Sequence, residues 1–340
     1  MTLRTFFILI SLCSFVLVSC LNTEKKENQK LIIELPVNSL DSQLNALTKK
    51  IIRHPEKDEL YFQRAKLFKQ KGKLLLATHD MGKAIALQAQ IFEYFNLAGD
   101  LYFETNNIKS AIDAYEKSCK LNPDNEYAFL QLGKIYLYTS QLREAIAYLN
   151  KAVEANKFNP DIYNTISLYF LQKNDTIRAI ESLKTAVKID PENLTAYRNL
   201  GELLLLTKNK DALLYLNNAL RVKADDIASL YNRGKYYQDK DSFNLAISDY
   251  ENILSLEPNH KSANYNLGYI NYLLDKYEQS ISYFSKVISL NPDKKEAYLG
   301  RGMCYAALKN NKLAADDFNK ILLIDPKDEI ARKELMKLSK

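Results

Sequence analysis

The feature that most constrains this chain is internal self-similarity. The segment AFLQLGKIYLYTSQLREAIAYLNKAV from Ala128 and the segment AYLGRGMCYAALKNNKLAADDFNKIL from Ala297 share one pattern of small, apolar and aromatic residues. Laid in register, the pattern runs through 58–91, 92–125, 126–159, 160–193, 194–226, 227–260, 261–294 and 295–328. Seven copies hold 34 residues and the fifth holds 33. A period of this length marks a unit that cannot bury its apolar face alone and must stack on its neighbours. Such a stack grows along one axis, so the usual expectation of two compact domains for a chain of 340 residues does not apply.

Each copy reads as two helices. Small or apolar residues fall at positions 4, 7, 8 and 11, as Phe129, Leu132, Gly133 and Tyr136, and again at 20, 24 and 27, as Ala145, Leu149 and Ala152. Spacings of three and four place each set on one helical stripe. Position 8 is Gly133, Gly201, Gly234, Gly268 or Gly302, with Ala65, Gly99 and Ser167 in the remaining copies. A small residue there lets the two helices approach. Prolines 123, 191, 258, 292 and 326 recur at position 32 and end the second helix, because a residue before proline avoids the helical region. Position 32 is Ala89, Lys157 and Ala224 in copies one, three and five. The missing residue of copy five falls near Lys208-Asn209-Lys210.

This skeleton resembles the tetratricopeptide repeat, a helix–turn–helix unit. The resemblance covers essentially everything after residue 57 and implies an all-α solenoid, a right-handed superhelix. Residues 39–57 carry an apolar stripe of Leu40, Leu44, Leu47 and Ile51 closed by His54-Pro55, and resemble a lone second helix capping copy one. Residues 329–340 form the opposite cap, with Ile330, Ala331, Leu335 and Leu338 expected to cover copy eight.

The N-terminus is of a different kind. Arg4 and the apolar run Phe6 to Val18 read as a secretory signal over residues 1–19. Leu17-Val18-Ser19-Cys20 resembles the lipobox of bacterial lipoproteins, which implies cleavage before Cys20 and acylation of its thiol. Two or three acyl chains anchor stably where one would not. Residue 21 is Leu and not Asp, which in the sorting rule of enteric bacteria would permit transfer to the outer membrane. Residues 20–38 would then be a lipidated tether with a reach of about 25 Å as a random coil.

Consecutive first helices of this repeat family line a concave groove through positions 2, 5, 6, 9, 12 and 13. Position 6 is Asn199, Asn232 and Asn266 in three successive copies, bounded by Thr165 and Gly300. An amide both donates and accepts, so such a ladder can pair with a peptide backbone of any sequence. Tyr231, Tyr265, Tyr269 and Tyr272 stand at positions 5, 5, 9 and 12 of the same region and are the expected aromatic anchors. Co-chaperones of the family hold a terminal carboxylate with Lys and Asn at positions 5 and 9. No copy here has that pair.

Positive and negative residues interleave along the chain, which carries a net charge of +6 without a basic run, so no nucleic-acid footprint is read. Three scattered histidines and two distant cysteines, Cys119 and Cys304, give no metal or disulfide constellation. Both thiols are expected to be buried and free. No phosphate loop, H-E-x-x-H or G-x-S-x-G is present, so neither a catalytic residue nor a cofactor is expected. The reading is a membrane-anchored scaffold of the bacterial cell envelope that binds a protein or peptide in its groove. A glycan-binding lipoprotein is the alternative, weakened by the absence of tryptophan.

Overall fold

The computed structural model describes residues 39–338. Cys20, the expected signal segment and the expected tether lie outside the described residues. The described residues divide into two compact units, the first ending at Ala155 and the second beginning at Asn156, just after the second helix of the third repeat. Among the described residues all regular structure is helical, and no helix is long and apolar enough to cross a membrane.

The first unit opens with α1 (Leu40–Arg53). Three helix pairs follow: α2 (Asp58–Gln70) with α3 (Leu74–Leu87), α4 (Phe92–Glu104) with α5 (Ile108–Leu121), and α6 (Glu126–Tyr138) with α7 (Leu142–Ala155). The second unit has five pairs and a closing helix. They are α8 (Pro160–Gln172) with α9 (Thr176–Ile189), α10 (Leu194–Leu206) with α11 (Ala212–Val222), α12 (Ile227–Gln238) with α13 (Phe243–Leu256), α14 (Lys261–Leu273) with α15 (Tyr277–Leu290), and α16 (Lys295–Ala307) with α17 (Asn311–Ile324). The closing helix is α18 (Glu329–Leu338). The first helix of each pair, helix A, starts at the first residue of its repeat.

Each pair meets where position 8 faces position 24. A Cβ placed on Gly133 would lie 2.7 Å from the Leu149 side chain, and one on Gly234 would lie 2.7 Å from the Tyr250 ring. A methyl group cannot fit there without parting the helices. Position 15 turns the chain between the two helices. It lies in the left-handed region in all eight repeats, yet only Gly72 is glycine. Asn106, Ser140, Asn174, Lys208, Asp241, Asp275 and Lys309 take the same conformation. Asn and Asp tolerate it best, and the hydrogen-bonded C-cap that it closes offsets the strain in the others.

Helix B ends in the extended region whether or not proline follows. Asn122 and Asp190 precede prolines, while Gln88 and Lys223 precede alanines, and all four adopt φ between −126° and −144°. The next helix A starts with a side-chain cap in most repeats, supplied by Asn125, Asn159, Asn193, Asp226 or His260. Each such cap contributes about 1 kcal/mol. In repeat five the missing residue shortens helix B: α11 has 11 residues where its seven counterparts have 14.

Position 7 departs from the apolar pattern in three repeats, and the structure shows why. Arg64, Arg233 and Arg301 each clamp a buried carboxylate sixteen residues ahead on their own helix B. The partners are Asp80 (2.7 and 2.8 Å), Asp249 (2.9 and 2.7 Å) and Asp317 (2.9 and 2.7 Å). The third guanidinium nitrogen reaches sixteen residues back onto the preceding helix B, to Thr48 (3.1 Å), Asn217 (2.9 Å) and Ser285 (2.9 Å). One planar fork thus ties three helices. These aspartates hold the guanidinium groups charged, with pKa values above the ordinary arginine value. Thr48 stands to Arg64 as Ser285 stands to Arg301, so α1 occupies the place of a preceding helix B. Leu44 and Ile51 of α1 are buried. At the other end Ala331, Leu335 and Leu338 pack on the last pair, but Ile330 is 55% exposed and covers nothing.

Candidate functional site

The helix A face must first supply the joints between repeats, and what is left over can bind. Position 5 belongs mainly to the joints. It reaches position 34, the residue just before the next helix A. Asn96 accepts from Asn125 at 3.1 Å, and Arg198 pairs with Asp226 at 3.2 Å. The rings of Tyr231 and His260 lie 5.9 Å apart, and the Lys294 ammonium lies 5.9 Å from the Tyr265 ring. Tyr231 also packs on Tyr250 at 6.0 Å, and Tyr265 on Phe284 at 5.6 Å. The two tyrosines expected to stand free at position 5 are therefore half-buried joint residues with one remaining face. Burial, ahead of nearby Glu296, pushes the Tyr265 hydroxyl above its ordinary pKa.

Position 6 is also more engaged than its amide ladder suggests. Asn199, Asn232 and Asn266 are all half-buried. The Asn266 amide lies near the Tyr250 hydroxyl of the preceding repeat and opposes part of the rise that burial causes in that phenol. Gly300, at the same position of repeat eight, lies against the Phe284 ring, which leaves no room for a side chain. Tyr272 packs against Tyr277 at 6.0 Å in the core of its repeat, and burial is the first cause of its raised pKa. Tyr269 differs from the other three tyrosines. It is 41% exposed on helix A.

Two open clefts flank Tyr231. One, of about 400 Å³, is lined by Tyr231, Tyr265 and Asn266 together with Lys261, Ser262, Val287, Asn291 and Lys294. The other, of about 510 Å³, is lined by Tyr231 and His260 with Arg198, Lys223, Asp225 and Asp226. Three of the seven expected groove residues thus converge in one cleft. Asn199, Asn232, Tyr269 and Tyr272 do not line it. Ser262 stands at position 2 of its repeat, one of the groove positions, whereas Lys261, Asn291 and Lys294 fall outside them. The signal available was Lys261 in the first turn of a helix, where acidic residues are favoured.

His260 is the cap of α14. Its Nδ1 accepts from the Ala263 N–H at 3.1 Å, so the proton of the neutral ring sits on Nε2. Asn264 and Asn271, close in sequence to Asn266, are buried and bond backbone carbonyls of Pro258, His260 and Leu267. They are structural amides.

The first unit uses its helix A face differently. Asp100 at position 9 accepts from Lys69 (2.7 Å), Tyr115 (2.6 Å) and Tyr127 (2.7 Å). Asn96, Ser118 and Asn125 close a second network at 2.7 to 3.1 Å. One of its clefts, about 590 Å³, is lined by Cys119 of α5, Phe129 of α6 and Tyr148 of α7. Cys119 is half-buried there, not fully buried as expected, and burial pushes its thiol up to about 11. Cys304 is buried and donates to Ser280 at 3.1 Å.

Sequence comparison places these helix pairs. A family model described as TPR repeat matches residues 99–140 and 167–207. Two described as tetratricopeptide repeat match 231–293 and 274–329, and 127–159. The chain is built of tetratricopeptide repeats. Among solved structures it is similar to PilF of Pseudomonas aeruginosa, at 19% identity and a TM-score of 0.54 over 62% of this chain and 97% of that one. The Cut9–Hcn1 hetero-tetramer matches at 18% identity and a TM-score of 0.51, over 90% of this chain and 61% of that one. A tetratricopeptide repeat protein from Parabacteroides merdae matches at 17% and 0.50, over 73% and 99%. These likenesses are of fold. As tetratricopeptide units, the pairs form an all-α solenoid within each unit, and proteins of this repeat class mediate protein–protein contacts.

Proposed function

We propose that the chain is an interaction scaffold that holds an extended peptide or protein segment on the helix A face of repeats six and seven. The observation that carries this reading is the cleft in which Tyr231, Tyr265 and Asn266 meet. It offers two aromatic faces, a side-chain amide and a row of donors, a combination suited to a peptide backbone with intermittent side-chain anchors. Exposed Tyr269 and Leu273 extend the apolar path along α14.

A photo-crosslinking residue placed at Ser262 or Tyr269 is expected to capture a partner in cells. The same residue at Leu323, 78% exposed on a helix B, is expected not to capture it. Capture of the same proteins from both faces would sink this assignment.

The same proposal includes a lipid anchor on Cys20, resting on the Leu17-Val18-Ser19-Cys20 sequence, which would hold the scaffold at a membrane of the bacterial envelope, the outer membrane where there is one. Labelling with an alkyne fatty acid is expected to mark the wild-type chain and not Cys20→Ala. Equal labelling of both would refute the anchor, without bearing on the cleft.

A further inference from the structure

The two clefts beside Tyr231 differ in their charge balance, and that difference bears on what they can hold. In the cleft toward repeat five each cation has a carboxylate of its own: Arg198 pairs with Asp226 at 3.2 Å and Lys223 with Asp225 at 3.9 Å. The cleft toward repeat seven has no carboxylate in its lining, and two ammonium groups, Lys261 and Lys294, stand at it. Among the described residues Lys261 makes no ion pair, and Lys294 pairs only with Glu296, at 2.9 Å, with both side chains more than two-fifths exposed. Such a pair is weak and exchangeable.

The neutral polar groups are oriented to the same end. The Asn291 side-chain oxygen is occupied by the Asp293 N–H at 3.3 Å, which leaves its NH2 as the group on offer. Ser262 adds a hydroxyl and Asn266 an amide. The cleft therefore presents donors and positive charge with no carboxylate among its lining residues.

Resting on the reading of this face as a peptide site, we infer that the segment it holds carries an acidic side chain, seated between Lys261 and Lys294. Charge complementarity selects the carboxylate. The aromatic walls formed by Tyr231 and Tyr265 take the flanking residues. The positions used, the first of one repeat and the last of the same repeat, differ from the position 5 and 9 pair of terminal-carboxylate clamps, so an internal Asp or Glu satisfies the site.

The test uses the full chain and three immobilised nonapeptides of one apolar–polar sequence, identical except for Glu, Gln or Lys at the centre. The Glu peptide is expected to be retained about tenfold more tightly than the Gln peptide, the size of one charge-assisted contact, with the margin shrinking as salt is added. Lys261→Glu combined with Lys294→Glu is expected to reverse the order in favour of the Lys peptide, while Lys261→Arg with Lys294→Arg keeps it. A circular-dichroism melt confirms that the variants fold. Equal retention of Glu and Gln peptides, both lost in Tyr231→Ala, overturns the acidic preference and leaves the peptide site standing. Retention of none of the three peptides overturns both.

Discussion

The helix A faces of the two units are built from the same repeat and carry the same kinds of side chain, yet they spend them differently. In the first unit Asp100 is surrounded by Lys69, Tyr115 and Tyr127, and Asn96 is held by Ser118 and Asn125. Each polar atom named there has a partner from the fold itself. In the second unit Lys261 has no ion-pair partner among the described residues, Asn266 lines an open cleft, and Tyr269 is 41% exposed. Polar and aromatic residues in a groove mark a binding site only after the joints between repeats have taken what they need. This contrast supports the proposed site in the second unit, although the first also carries tyrosines and amides along its helices A.

The contrast can be broken most decisively at Asp100. Asp100→Ala leaves two phenol hydroxyls without their acceptor and Lys69 with Glu104 alone, and the expected loss is about 2–4 kcal/mol in urea unfolding. A loss below about 1 kcal/mol would mean that the network is surface decoration, and the first unit would regain standing as a site. Tyr231→Ala sits between the two extremes. It removes ring contacts with Tyr250 and His260 and is expected to cost about 1–2 kcal/mol as well as ligand retention. Retention unchanged at that cost would reduce Tyr231 to a joint residue.

Acid is expected to act on both end helices. The Ala331 N–H first, and Lys295 next, hold the Asp328 carboxyl below its ordinary value, and Lys71 does the same for Asp41 on α1. A lowered carboxylate stabilises the fold fully above its unfolded pKa, near 3.8, and that contribution is lost as pH falls through the lower folded value. Hydrogen exchange should therefore rise in α1 and α18 below about pH 4, before the central helices respond. Faster exchange at the centre first would contradict this. The smallest effect on stability is expected at Tyr269, which is exposed: Tyr269→Ala should change it by less than about 0.5 kcal/mol while weakening partner capture. Tyr269→Ala with unaltered capture would restrict the site to the cleft.

Much of the architecture was legible in the residues. The period of the repeats, the start of each helix A and the small residue at position 8 follow from a pattern that recurs eight times, because each copy reports on the others. Other features were hidden for identifiable reasons. The Arg64, Arg233 and Arg301 clamps break the apolar rule at position 7, and their meaning depends on carboxylates sixteen residues away. The left-handed position 15 is signalled by Asn106, Asn174, Asp241 and Asp275 but masked by Ser140, Lys208 and Lys309. Ile330, expected to cover the last repeat, points away because α18 turns Ala331, Leu335 and Leu338 inward.

Taken alone, the sequence determined that the chain is a stack of helix pairs, since only stacking buries an apolar stripe that returns every 34 residues. It nominated Asn199, Asn232, Asn266 and four tyrosines by their position on one helix. The tertiary structure decided which of them are left over. Asn266, Tyr231 and Tyr265 share a cleft, Tyr272 is packed in its own repeat, and Lys261 and Lys294 join from residues outside the nominated positions. Helical periodicity specifies the face on which a side chain lies. Whether that side chain is already partnered depends on the neighbouring repeat, about thirty residues along the chain, and only packing reveals it.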